Sequence, residues 1–175
     1  MAAGEMKRIL IIGPGGAGKS TLSRCLHEAT GLKLLHLDRL YWQPGWTEPP
    51  KDEWRKTVEE AVKEDEWIMD GNFGGTMEIR LAACDTVLYL DFPRTICIYR
   101  VFKRRLMYRN KSRPDMGEGC NEKIDLEFLQ WVWNFPKTTK PKIEERLKRF
   151  EGEKTIIRLR SSRDVEDFLA QIKSN

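Results

Sequence analysis

Residues 8–20 read Arg-Ile-Leu-Ile-Ile-Gly-Pro-Gly-Gly-Ala-Gly-Lys-Ser: an apolar run, a glycine-rich turn, then a lysine and a serine opening an amphipathic stretch. The turn itself, Gly13, Pro14, Gly15, Gly16, Ala17, Gly18, Lys19 and Ser20, meets G-x-x-x-x-G-K-[ST] at every fixed position, directly after a strand signal and directly before a helix signal. Glycine lets successive N–H groups turn toward one point, the helix start adds partial positive charge, and Lys19 reaches the β- and γ-phosphates. Ser20 is placed to ligate Mg2+, and Thr21 follows it in the same turn. The competing reading, a glycine turn that only joins strand to helix, is outweighed by this context. The stretch predicts a nucleoside triphosphate site.

Outward from that loop, short aliphatic runs alternate with longer amphipathic ones, the pattern of strand and crossover helix repeated along a parallel sheet. Strands are expected at 8–12, 33–37, 67–69, 86–90 and 155–159, each short and apolar enough to be buried on both faces. A helix follows Gly18 and closes at Gly31, and a second starts after Pro49-Pro50 with Trp54, Val58, Ala61 and Val62 on one face. Pro93 suits the first turn of a third, which runs through Arg105 or beyond. Ile124, Phe128, Trp131 or Val132, and Phe135 mark a fourth; Ile143, Leu147 and Phe150 a fifth; Val165, Phe168, Leu169 and Ile172 the last.

The length, 175 residues, fits one folding unit, so 1–175 is read as a single domain. Its 40% hydrophobic content, six Trp and seven Phe supply too much burial for a disordered chain. The longest run without a charge is ten residues, Ile9 to Gly18, against about 20 for a spanning helix, so no membrane segment is expected. Only four apolar residues separate the Lys7-Arg8 pair from the first glycine, too few for a secretory signal. Cys25, Cys84, Cys97 and Cys120 lie far apart with no C-x-x-C pair, which reads as reduced thiols in a cytoplasmic protein.

A phosphate-binding loop of this kind needs an acid on a neighbouring strand. Asp38, Asp70 and Asp91 all stand just past expected strand ends. Asp70 is favoured for the metal side, because it leaves an apolar strand and has no obvious local cation. Asp38 falls across the crevice, where it would deprotonate an acceptor or hold a metal water. Asp91, before Phe92-Pro93, is read as a helix N-cap. Residues 100–113, RVFKRRLMYRNKSR, carry seven basic side chains and no acid. A nucleic-acid face, a solvated helix face and a lid that closes its arginines over a phosphoryl group all use such a segment; the loop-like stretch after it favours a lid, at about 104–122.

With the glycine loop, Asp70-Gly71 and the RVFKRR helix, the chain resembles the adenylate kinase-related P-loop kinases. It resembles more closely the bacterial proteins labelled DNA topology modulation proteins, through HLDRLYWQPGW at 36–46, MDGNFGGT at 69–76, LDFPR at 90–94 and RPDMGEGC at 113–120. The resemblance implies a three-layer α/β P-loop NTPase fold with a five-stranded parallel sheet in order 2-3-1-4-5, helices on both faces, and ATP as phosphoryl donor. It also implies that Arg100 and Arg104 lie against adenine and phosphates, and that the loop at 160–163 borders the base.

Where adenylate kinases carry Phe-Pro-Arg after Asp-Gly, this chain has Asn72-Phe73-Gly74-Gly75. The acceptor grip is therefore different. Arg80 is read either as a clamp on an acceptor phosphate or carboxylate or as half of a salt bridge. The loop Tyr41-Trp42-Gln43-Pro44-Gly45-Trp46 is read as a wall of an acceptor pocket or as packing, and Trp131 and Trp133 as core or hinge. The combined expectation is an ATP-dependent kinase of a nucleotide or other small acceptor. In it Lys19 and the 13–20 backbone hold the donor, Ser20 and Asp70 organise Mg2+, Asp38 acts as base, and Arg104 with Arg105 or Arg109 closes over the transferring group. The other class is a nucleotide-binding regulator associated with DNA topology, for which no helix-turn-helix or finger pattern is present and specific nucleic-acid binding is not expected.

Overall fold

The computed structural model of the chain describes residues 6–108, 115–117, 119–120 and 126–174. Five strands, β1 (Arg8–Ile12), β2 (Leu34–His36), β3 (Trp67–Asp70), β4 (Thr86–Leu90) and β5 (Thr155–Leu159), form one sheet in the order β2-β3-β1-β4-β5. Every pairing is parallel, with Leu10 opposite Met69 on one side and Val87 on the other. The expected order is met, and every strand end falls within one residue of its expected position. β1 has no solvent face: Ile9 and Ile11 enter one apolar cluster, Leu10 and Ile12 the other.

Helices build those two layers, as a sheet with crossover connections requires. On one face Leu22 and Leu26 of α1 (Lys19–Thr30) pack with Phe168 and Ile172 of α8 (Ser162–Lys173) and with Cys97 of α5 (Arg94–Met107). On the other, Trp54 and Val58 of α3 (Lys51–Ala61) meet Met77 and Leu81 of α4 (Met77–Ala83) and Ile143 and Leu147 of α7 (Lys140–Lys148). α6 (Leu126–Thr138) spans both through Val132 and Phe135. α1 ends as expected at Gly31, whose φ of 75° lets its N–H donate to His27 O at 2.8 Å.

Several expectations are corrected. β2 stops at His36 because Leu37 already begins a short helix, α2 (Leu37–Tyr41). α4 was not anticipated; its seven residues, MEIRLAA, carry too little periodic signal. Asp91 does not cap α5, whose N-cap residue is Pro93; its carboxylate instead takes Lys140 Nζ at 2.7 and 2.6 Å. Of the lid expected at 104–122, residues 109–114, 118, 121 and 122 lie outside the described residues, as do Arg109 and Ile124. Among the described residues no helix is long and apolar enough to cross a membrane.

Candidate active site

The loop from Gly13 to Gly18 leaves the C-terminal end of β1, the middle strand of the sheet, and enters α1. Gly16 sits at φ 80°, and a Cβ there would collide with the carbonyl oxygen of Cys97, so α5 is held close against the loop. Gly18 is the N-cap of α1 at φ 99°, a left-handed turn natural to glycine. Lys19 folds back across the loop, and its Nζ donates to Gly13 O at 2.9 Å and Pro14 O at 3.0 Å. Burial pushes the Lys19 ammonium below its ordinary range; Asp38 and Asp70 oppose that shift and Arg104 adds to it.

The two favoured acids occupy different settings. Asp70 ends β3 and is 4% exposed. Its Oδ1 lies 2.8 Å from His36 Nδ1 and its Oδ2 3.1 Å from Ser23 Oγ, a hydroxyl also 3.1 Å from Ser20 O. His36 is thus a partner that linear reading missed; the in-register pairing of β2 with β3 creates it. Asp38, in the first turn of α2, faces an open cleft instead.

That cleft has a volume of about 1010 Å3 and runs along the glycine loop. One end is formed by Thr21, Arg24 and Cys25 of α1, Arg100 of α5, and Ser162, Val165 and Leu169 of α8. Arg100 bridges this end, donating to Ala17 O at 3.0 Å and Ser162 Oγ at 2.9 Å, with its guanidinium 4.8 Å from the Phe92 ring centroid. The start of α8 is fixed by a capping box, in which Ser161 Oγ accepts from Asp164 N–H while the Asp164 carboxylate takes the Ser161 N–H. Arg104 lines the middle of the cleft, 5.9 Å from the Phe128 ring centroid. Arg105, one position on, is not among the lining side chains.

The other end is walled by Asp38, Trp42, Trp46, Glu48, Asn72, Phe73, Asp115 and Met116. Tyr41, Trp54 and Phe73 form a ring cluster with centroids 4.7–5.1 Å apart, and Trp42 joins it at 4.9 Å from Tyr41. Burial, reinforced by a hydrogen bond to Glu48, raises the Tyr41 phenol above its usual range. Among the described residues, the two non-glycine residues with positive φ, Trp46 at 64° and Phe73 at 28°, are both in this wall. Such strain persists where the surroundings over-determine the backbone. The aromatic loop at 41–46 is therefore both packing and pocket wall. Trp131 also lines the cleft, whereas Trp133 is 46% exposed under Arg94.

Neither reading of Arg80 holds. The side chain is fully buried and donates to Gly71 O, Asn72 O and Phe73 O at 2.8, 2.5 and 2.9 Å, which makes it the brace of the loop after β3. Asn72, on that loop, carries no role in the sequence reading beyond marking a departure from the adenylate kinase pattern. Its Oδ1 accepts the Gly13 N–H at 3.1 Å and its Nδ2 donates to Gly13 O at 2.7 Å.

No protein-family model matches the chain. No curated protein matches it either. Solved structures do. A shikimate kinase from Acinetobacter baumannii, in complex with shikimate, aligns over 96% of this chain and 91% of its own at 18% identity, with a TM-score of 0.61. A gluconokinase from Sinorhizobium meliloti 1021 aligns over 96% of this chain and 90% of its own at 14% identity, with a TM-score of 0.54. The fold is that of the P-loop NTPases. At these identities the likeness shows the fold alone. The resemblance to the DNA topology modulation proteins finds no support in any of these comparisons.

Proposed function

We propose that this chain is an ATP-dependent kinase of a small hydroxyl-bearing acceptor. The observation that carries the reading is the shape of the cleft. A complete phosphate-binding loop lies along it, with the donor-side groups Thr21, Arg100 and Ser162 at one end and Asp38 within an aromatic wall at the other. Both solved neighbours bear the names of kinases that act on small molecules, and this supports the same class here. In the reaction the acceptor oxygen forms a bond to the γ-phosphorus as the bond to the β,γ-bridging oxygen breaks. ADP leaves, and the hydroxyl proton passes to Asp38.

The chain's own contribution is positioning and charge neutralisation. Lys19 and the N–H groups of the loop hold the donor phosphates, while Arg104 is the cation of α5 placed to meet the transferring group. Mg2+ fits the residues present. Among the described residues no three His, Cys, Asp or Glu side chains gather into a protein cage, and Mg2+ needs none, since it takes phosphate oxygens, waters and one or two protein oxygens. Ser20 would supply its hydroxyl, and Asp70, which accepts from Ser23 Oγ three residues along α1 at 3.1 Å, would act at one remove. Held by those residues, Mg2+ would supply positive charge against the donor phosphates.

The test is an ATP-consumption screen across nucleosides, nucleotides and small hydroxylated metabolites. One acceptor class is expected to stimulate turnover, and Lys19→Ala to lower that turnover by about 10²–10³, the scale of one lost electrostatic stabiliser. Unchanged turnover in Lys19→Ala would overturn the reading.

A further inference from the structure

Gly13 O is a buried carbonyl with two donors at once: Lys19 Nζ at 2.9 Å and Asn72 Nδ2 at 2.7 Å. The same asparagine also takes up the Gly13 N–H, so both polar groups flanking the first glycine of the loop are tied to one side chain. The loop bearing Asn72 is not free to drift, because Arg80 holds three of its carbonyls. Lys19 has a conflicting duty. To reach donor phosphates it must give up carbonyls on which its protons now rest.

We infer that Asn72 is a positioning residue for Lys19, keeping Gly13 O hydrogen-bonded so that the lysine can transfer its donors to the phosphates without orphaning a buried carbonyl. An unsatisfied buried acceptor is among the more expensive local defects in a fold. With Asn72 in place Lys19 can leave both carbonyls, because Gly13 O keeps the Asn72 Nδ2 bond and Pro14 O keeps the Ala17 N–H at 3.2 Å. Without it, the carbonyl and the incoming phosphates compete for one ammonium group, and the start of the loop loses its anchor. Asn72 lines the cleft where the glycine loop meets the acceptor end, which suits a residue acting on the donor lysine from the acceptor side.

The inference rests on the kinase reading, and a double-mutant cycle separates the two. ATP affinity would be measured by titration calorimetry on wild type, Asn72→Ala, Lys19→Ala and the double variant, with thermal melting of each. Asn72→Ala is expected to weaken ATP binding about tenfold in the wild-type background and less than twofold once Lys19 is alanine, because the asparagine acts through the lysine. Asn72→Asp, close in shape but without the Nδ2 donor, is the second variant and is expected to weaken binding in the same direction. A purely structural role predicts equal losses in both backgrounds, tracking the melting temperature, and that additivity overturns the inference while leaving the kinase reading intact. An ATP affinity for Asn72→Ala within twofold of wild type also overturns it. Absence of ATP binding by the wild type overturns the kinase reading itself.

Discussion

A buried guanidinium is costly unless its protons find acceptors; at Arg80 three backbone carbonyls take protons from both terminal nitrogens, Nε is buried without a partner, and burial lowers the pKa to about 9. Lysine would place a charge in the same space but lacks the planar fork that reaches three acceptors from one side chain. Arg80→Lys is therefore expected to destabilise the protein by about 2–4 kcal/mol, the cost of buried acceptors left unmet, as read by urea unfolding. A clamp on an acceptor would behave differently, raising the acceptor KM with stability unchanged. That residue also shows where sequence reading stops. Lys19 and Ser20 were legible because the chemistry fixes their spacing within one local loop. Arg80 and Asn72 were not, because their partners are backbone groups at positions 71–73 and 13, which only the folded loop brings into reach. Asp91 misled for a related reason: a local capping pattern was overridden by Lys140, 49 positions away.

Elements were easier to read than contacts. A strand buried on both faces leaves a short apolar run, which marks β1, β3 and β4; the edge strands β2 and β5 are only half-buried, contrary to expectation, yet their aliphatic residues still mark them. Helices of nine or more residues could be read from the sequence, while α2 and α4, with five and seven residues, could not. What joins elements is again not local. Arg158 at the end of β5 meets Glu144 of α7 through paired bonds of 2.5 and 2.6 Å. That bond to Arg158 holds the Glu144 carboxyl below its ordinary range, with burial opposing. A depressed carboxyl pKa means that the native state favours the ionised form. The pair's contribution is thus present above the unfolded value of about 4.3 and is lost as pH falls through the folded value. Glu144→Gln is expected to cost about 1 kcal/mol at neutral pH, modest because the pair is part-exposed. The gap between wild type and variant in urea unfolding should close as pH drops below about 4; a gap constant with pH would remove the pair from the account of how β5 is held.

At the scale of the whole molecule, the question is what the positive charge is for. Residues 100–113 carry seven basic groups, while the remaining 161 carry 24 basic against 27 acidic, so the chain is basic only in one segment. Within the described part of that segment, Arg100, Lys103 and Arg104 line the cleft. Away from the cleft α5 instead presents Ile96, Tyr99, Phe102 and Leu106, each at least 40% exposed. A nucleic-acid face needs cations spread over an accessible surface; here three of the segment's four described cations line the cleft along the glycine loop, Arg105 being the exception, and the exposed side chains away from the cleft are largely apolar. Duplex DNA is accordingly expected to bind weakly, in the range of non-specific contacts of about 10⁻⁴–10⁻⁶ M at physiological salt, and to leave ATP turnover unstimulated. Arg104→Ala should weaken ATP binding without altering the salt dependence of duplex binding. Fluorescence anisotropy of a labelled duplex between 50 and 200 mM salt decides it. Nanomolar affinity whose salt slope falls by about one on removal of Arg104 would place that cation on DNA phosphate rather than on a nucleotide, because each phosphate contact releases its own counterion.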